Sequence, residues 1–98
     1  MVVACFSDPG IDAAKEVSQI PVLGIAEVAL HIAALLGHKF CLMTPLKSRV
    51  PAKEHHVRRL GMAKLLASVR ALNMKVLETD AKPDETKIAV LEIGRRAI

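Results

Sequence analysis

Short apolar runs alternate along this chain with helix-length segments, and that alternation constrains the fold more than any other feature. Val2 to Phe6 is a continuous apolar run, the pattern of a strand buried on both faces of a parallel sheet. Ser7-Asp8-Pro9-Gly10 then offers a helix start, with Ser7 or Asp8 as cap and Pro9 in the first helical position. This helix is expected to run to about Ser18, with Pro21 forcing a break. Gly24 opens a second helix, Ile25 to Leu36, which places Ile25, Val28, Ala29, Ile32 and Leu36 on one apolar face before Gly37 ends it. Lys39 to Thr44 reads as the next strand, closed by Pro45. A third helix starts at Pro51 and ends near Gly61. A short strand is expected around Ala67 to Arg70, a further extended piece over Lys75 to Glu78, and a turn over Thr79 to Pro83. The last helix begins at Asp84 and runs into Ile98, with Asp84 and Glu85 early and Arg95 and Arg96 late, the order the helix dipole favours. Strands alternating with helices imply an α/β fold, three-layer αβα around a doubly wound, mostly parallel sheet. Ligands gather at the carboxyl ends of the strands in such sheets.

The chain has 98 residues, enough for one domain over 1–98 and too few for two ordinary ones. Its hydrophobic fraction of 52% argues against disorder, and with only 2% aromatics the core must be built from aliphatic side chains and Met. A formal charge of +4 invites a nucleic-acid reading, but single-strand binding needs aromatic stacking platforms. Phe6 and Phe40 are the only aromatics, and both fall in apolar runs where they read as core. The basic residues between Lys47 and Arg59 read as a solvated helix face, so no nucleic-acid partner is expected. The apolar stretch from Ile20 to Gly37 contains Pro21, Glu27 and His31, which a membrane span tolerates poorly. Cys5 and Cys41 form neither a CxxC pair nor a secreted disulfide pattern, and Met1 to Ala4 lacks a signal peptide's basic start. A cytoplasmic, soluble protein is the expectation.

Cys5 is the leading candidate for chemistry. It is placed near the carboxyl end of the first strand, a few residues before a helix start whose N–H groups and dipole would favour a thiolate. The competing reading is an inert buried cysteine, which is common. Cys41 lies inside an apolar strand and reads as core. Glu27 reads as a dipole-favoured acid in the first helical turn or, alternatively, as a substrate contact. Thr44 ends a strand, where its hydroxyl either faces a ligand or forms the turn before Pro45. His55 and His56 are adjacent and diverge on a helix, and His31 and His38 lie across a helix end, so no metal site is expected. Gly10, Gly24 and Gly37 are too scattered for a phosphate loop.

The string Ala4-Cys5-Phe6-Ser7-Asp8-Pro9-Gly10 resembles the first-cysteine motif of the hydantoin and allantoin racemases, in the aspartate/glutamate racemase superfamily. The resemblance continues through Ile20-Pro21-Val22-Leu23-Gly24-Ile25-Ala26-Glu27, then Thr44 with Ser48-Arg49-Val50-Pro51. It resumes at Leu66-Ala67-Ser68-Val69-Arg70-Ala71 and Val76-Leu77-Glu78. It implies a cofactor-independent racemase acting on hydantoins or related amino-acid derivatives, with two cysteines on opposite faces of the substrate. One thiolate removes the proton from the stereogenic carbon and the other thiol returns one from the far side. By this match Cys5 is one base, the Phe6-Ser7 backbone binds substrate oxygens, and Thr44 hydrogen-bonds the ring; Glu27 joins them as a substrate contact.

The resemblance also implies opening strands before Met1 and a glycine-cysteine-alanine-glycine motif after the region that ends here at Ile98. The chain is therefore expected to hold the middle of such a domain, truncated at both ends and impaired in activity. Cut sheet edges lead to an expectation of homo-oligomers. The alternative is a non-catalytic remnant that pairs with a full-length racemase subunit. Decarboxylases of the same superfamily keep the later cysteine and lack the earlier one, the reverse of this chain.

Overall fold

Every strand pairing in the structure, a computed structural model that describes residues 1–73 and 83–97, is parallel. The order of elements is β1 (Val2–Val3), α1 (Ile11–Val17), β2 (Leu23–Gly24), α2 (Ile25–Leu36), β3 (Phe40–Thr44), a 3-10 turn (Lys47–Arg49), α3 (Val50–Arg59), a second 3-10 turn (Ala63–Leu65), β4 (Leu66–Ala71) and α4 (Pro83–Ala97). This is the α/β alternation read from the sequence. The expected extended piece over Lys75 to Glu78, most of the turn after it, and the end of the last helix at Ile98 lie outside the described residues. The chain divides into two compact units, Met1–Lys39 and Phe40–Ile98.

In the first unit β1 pairs with β2, Val2 opposite Leu23 and Val3 opposite Gly24. The first strand is thus two residues long rather than five, and Val2 is exposed, so burial on both faces is not observed. Chain direction changes after Val3 because two tight turns follow. The Asp8 N–H donates to the Cys5 carbonyl at 2.9 Å, and the Ile11 N–H donates to the Asp8 carbonyl at 3.3 Å. Asp8 and Gly10 both take left-handed backbone angles, φ 47° and φ 70°. A helix therefore cannot start at Pro9, and α1 begins only at Ile11. Phe6, expected in the core, sits in the first of these turns and is exposed.

The second helix spans Ile25–Leu36, as its caps and periodicity predict. Its buried residues, however, are Ala26 and Leu30, whereas Ile25, Ala29, Ile32 and Leu36 of the expected core face are exposed. The cause is that α2 is apolar nearly all round, so periodicity alone does not decide which side packs. Val22, Ala26 and Leu30 are the buried apolar residues of this unit.

In the second unit β3 pairs with β4. Phe40 faces Leu66 but Cys41 faces Ser68, so Ala67 is left without an opposite residue and the register shifts there. Leu42 and Thr44 point to the buried side of β3. Val57 of α3 and Met62 complete the small core with Leu42. Helix α3 ends in a Schellman arrangement: the Gly61 N–H donates to the Arg58 carbonyl at 3.0 Å and the Met62 N–H to the Val57 carbonyl at 3.1 Å. Gly61 adopts φ 75°, and the two residues that bracket the motif, Val57 and Met62, are both buried. Pro51 falls in the first turn of α3, where its missing N–H costs nothing. Helix α4 lies against β3, since a Cβ built on Gly94 would meet the Met43 Cε at 3.5 Å.

Candidate functional site

Cys5 sits in the turn that follows β1 and is exposed, with a free thiol. The inert-core reading of this cysteine does not hold. The helix expected just after it starts at Ile11, six residues on, with Gly10 as its N-cap residue and no side-chain hydrogen bond there. The turn is tied instead to the second helix. Asp8, 5% exposed, accepts hydrogen bonds from the Ala26 N–H at 3.1 Å (Oδ1) and from the Glu27 N–H at 2.9 Å (Oδ2).

The helix these bonds terminate has glycine at its N-cap position, Gly24, which has no side chain to offer. Asp8 supplies the missing carboxylate from a distant part of the chain, satisfying two N–H groups that α2 cannot satisfy itself. The approach is close: a Cβ at Gly24 would collide with the Asp8 carboxyl carbon and with Ile11 Cδ1. Gly24 is thus required for the Asp8 cap, and the cap holds the Cys5 turn on the amino end of α2. Sequence reading placed Asp8 on the wrong helix. The signal that could have found it is the pairing of a glycine N-cap with an unassigned aspartate beside the candidate cysteine.

Glu27 occupies the third position of α2 and closes the reciprocal half of the cap. Its Oε1 accepts the Gly24 N–H at 3.2 Å and lies 2.9 Å from the Lys15 Nζ, which also donates to Oε2 at 3.0 Å. Burial by itself would raise the Glu27 carboxyl. The Lys15 hydrogen bond, the Gly24 N–H, and the positive fields of Lys15 and His31 outweigh it, so the net shift is downward. His31 places Nδ1 2.6 Å from the Glu27 carbonyl, so the ring donates from that nitrogen. With both oxygens engaged, Glu27 acts as a first-turn acid that fixes the helix end.

Cys5, Phe6, Ser7 and Glu27 therefore belong to one local assembly in the first unit: a turn clamped to a helix terminus. Thr44 belongs to the second unit and is taken separately. It is 1% exposed, and its backbone carbonyl accepts the Leu72 N–H at 2.8 Å. Its Oγ1 has no hydrogen-bond partner among the described residues. A buried hydroxyl left in that state costs about 1–3 kcal/mol. Cys41 is half-buried, with Sγ 3.2 Å from the Ser68 Oγ, a contact created by the register shift at Ala67. Among the described residues no three His, Cys, Asp or Glu side chains gather as metal ligands, and no helix is long and apolar enough to cross a membrane.

Comparison with known proteins gives these features a context. A family model described as Asp/Glu/Hydantoin racemase matches residues 1–98. The hydantoin racemase of Rhizobium meliloti is 36% identical over 105 residues, covering 99% of this chain and 44% of that protein. The hydantoin racemase of Pseudomonas sp. (strain NS671) is 35% identical, over 99% of this chain and 39% of its own length. Among solved structures, the allantoin racemase of Klebsiella pneumoniae superposes with a TM-score of 0.92 at 33% identity, covering 98% of this chain and 39% of that one. The allantoin racemase of Pseudomonas fluorescens follows at a TM-score of 0.87 and 32% identity, over 93% of this chain and 39% of its own. The chain thus spans about two-fifths of the length of these relatives. Over that span, including the cysteine turn and the helix that anchors it, the chain belongs to the Asp/Glu/hydantoin racemase family.

Proposed function

We propose that residues 1–98 are part of a racemase domain in which Cys5 transfers a proton at the stereogenic carbon of a hydantoin or related amino-acid derivative, without a cofactor. The observation that carries this reading is an exposed thiol on a turn that Asp8 locks to the α2 terminus. Its support from relatives is that proteins named hydantoin racemase align across 99% of the chain.

The chemistry is a carbon acid's. The C–H bond next to the ring carbonyl breaks, its proton passes to the Cys5 thiolate, and the electron pair moves into an enolate. Reprotonation from the Cys5 thiol restores the C–H bond on the same face. Inversion requires a second acid on the opposite face. Cys41, half-buried against Ser68 in the second unit, is not assigned that role. The 98-residue chain alone therefore exchanges the proton but does not invert the centre, and is impaired as a racemase. Within this reading the Phe6 and Ser7 backbone, on the same turn as Cys5, contacts substrate oxygens. Glu27 contributes by keeping the α2 terminus in place.

The test is thiol alkylation mapped by mass spectrometry, with and without an enantiopure 5-substituted hydantoin. Cys5 is expected to react faster than Cys41, and the hydantoin to slow Cys5 selectively. Equal rates at both sulfurs, or no protection, would remove the assignment. The free thiols at Cys5 and Cys41 also support a reducing, cytoplasmic setting, which cell fractionation checks. A non-catalytic role, pairing with a full-length racemase subunit, is the second reading. It is favoured by the apolar groove of about 340 Å³ that Val2, Leu23, Ile25 and Ile32 leave open. Co-purification with such a subunit, together with an unprotected Cys5, would select it.

A further inference from the structure

The second unit carries a cavity of about 560 Å³ that the proton-transfer reading does not use. It lies where the carboxyl end of β4 meets the amino end of α3 and the last turns of α4. Three cationic side chains from three different elements line it: Lys47 from the 3-10 turn, Arg70 from β4 and Arg96 from α4. Among the described residues no aspartate or glutamate lines it. Its size is within the range of small-molecule sites, roughly 300–1,000 Å³.

Two further observations give the cavity a sign and a shape. Val50 and Pro51, the first residues of α3, form part of its wall. That helix has no acid in its first turn and no side-chain cap at its N-cap residue, Arg49. The positive end of this ten-residue helix borders the same space as the three cations and acts there through its dipole, since the Val50 N–H is taken by the Lys47 carbonyl and Pro51 has none. Arg70 is also oriented: its Nε donates to the Ser68 Oγ at 3.3 Å. Arg96 has a local explanation, since it complements the carboxyl end of α4. Arg70, on a strand, has no such helix end to complement. All three cations are exposed, so their mutual repulsion is screened, and an anion on this concave surface would gain from all three at once.

We infer that this cavity binds the phosphate group of a small molecule. Arg70 and Arg96 would donate to its oxygens, the α3 terminus would add its dipole, and Lys47 would act as a point charge. The inference is independent of Cys5, so either can fail without the other.

The experiment is an amide NMR titration of the 98-residue chain with inorganic phosphate, at ionic strength held constant with chloride. Saturable shifts are expected at Arg70, Ala71 and Asn73. Arg70→Gln and Arg96→Gln are each expected to weaken binding about tenfold, or about 1.4 kcal/mol. Lys64→Gln, a change at an exposed lysine outside the cavity, is expected to leave it unaltered. Should the arginine variants lose their native spectra, the exposed Lys47→Gln decides, with a several-fold weakening expected. Shifts that chloride alone reproduces, or unchanged affinity in the cavity variants, would overturn the site. A tighter response from an oligonucleotide lacking terminal phosphate would replace it with a nucleic-acid surface.

Discussion

Asp8 links the chemistry of one residue to the folding of another. Its carboxylate takes the Ala26 and Glu27 N–H groups, so the turn bearing Cys5 and the amino end of α2 stand or fall together. Asp8→Ala is expected to cost about 1–2 kcal/mol in urea denaturation, the usual scale for losing a side-chain cap. Asp8→Asn, which keeps one acceptor oxygen, is expected to cost less. Gly24→Ala is expected to destabilise for the complementary reason, by driving a methyl group into Asp8 and Ile11.

The Glu27 carboxyl gives this assembly a pH dependence. Its folded-state value is depressed below its ordinary one, since Lys15, the Gly24 N–H and His31 together outweigh the raising effect of burial. Its contribution is therefore full above the unfolded-state value and is lost as pH falls through the depressed folded one. Denaturation midpoints of the native chain are expected to drop over that acid interval, with a shallower drop in Glu27→Gln. Lys15 is 45% exposed, so the ion pair itself is expected to be worth under about 1 kcal/mol.

Among the elements, those with strong local signals were legible and those fixed by distant contacts were not. Helix α2 follows its predicted bounds because Gly24, Glu27 and Gly37 mark both ends. Strand β3 and helix α3 fall within a residue or two of expectation, bracketed by Pro45, Pro51 and Gly61. The start of α1 was misplaced because Ser7-Asp8-Pro9 has the composition of a helix start, while the left-handed angles at Asp8 and Gly10 exclude one. Strand β2 escaped notice, being two residues defined only by pairing with Val2 and Val3. In the candidate site the motif singled out the cysteine, but not its exposure, since Val2 to Phe6 reads as a run buried on both faces. The Asp8 cap was not, because a hydrogen bond across 18 positions leaves no periodic trace.

Two glycines separate backbone need from habit at this scale. Gly61→Ala is expected to destabilise by about 1–2 kcal/mol, since φ 75° is unfavourable for a Cβ even in open space. Gly94→Ala is expected to stabilise by up to about 1 kcal/mol, because it sits within α4 and the new methyl makes ordinary contact with Met43. Thermal melts of the two variants check both signs.

At the scale of the whole chain, each unit carries a small core and a large exposed apolar surface. Leu35 and Leu36 are 85% and 84% exposed, and Val17 is 82% exposed. Patches of this kind drive association, so the 98-residue chain is expected to form oligomers with increasing concentration. Sedimentation that shows a monomer at high concentration would contradict this. Proton transfer to and from carbon by Cys5 is checked by incubating the chain with an enantiopure 5-substituted hydantoin in deuterium oxide and following the stereogenic C–H by NMR and optical rotation. Deuterium incorporation above the buffer rate with configuration retained is expected, falling to the buffer rate in Cys5→Ser and unaffected by Cys41→Ser. Incorporation that is the same with and without the Cys5 sulfur would contradict it.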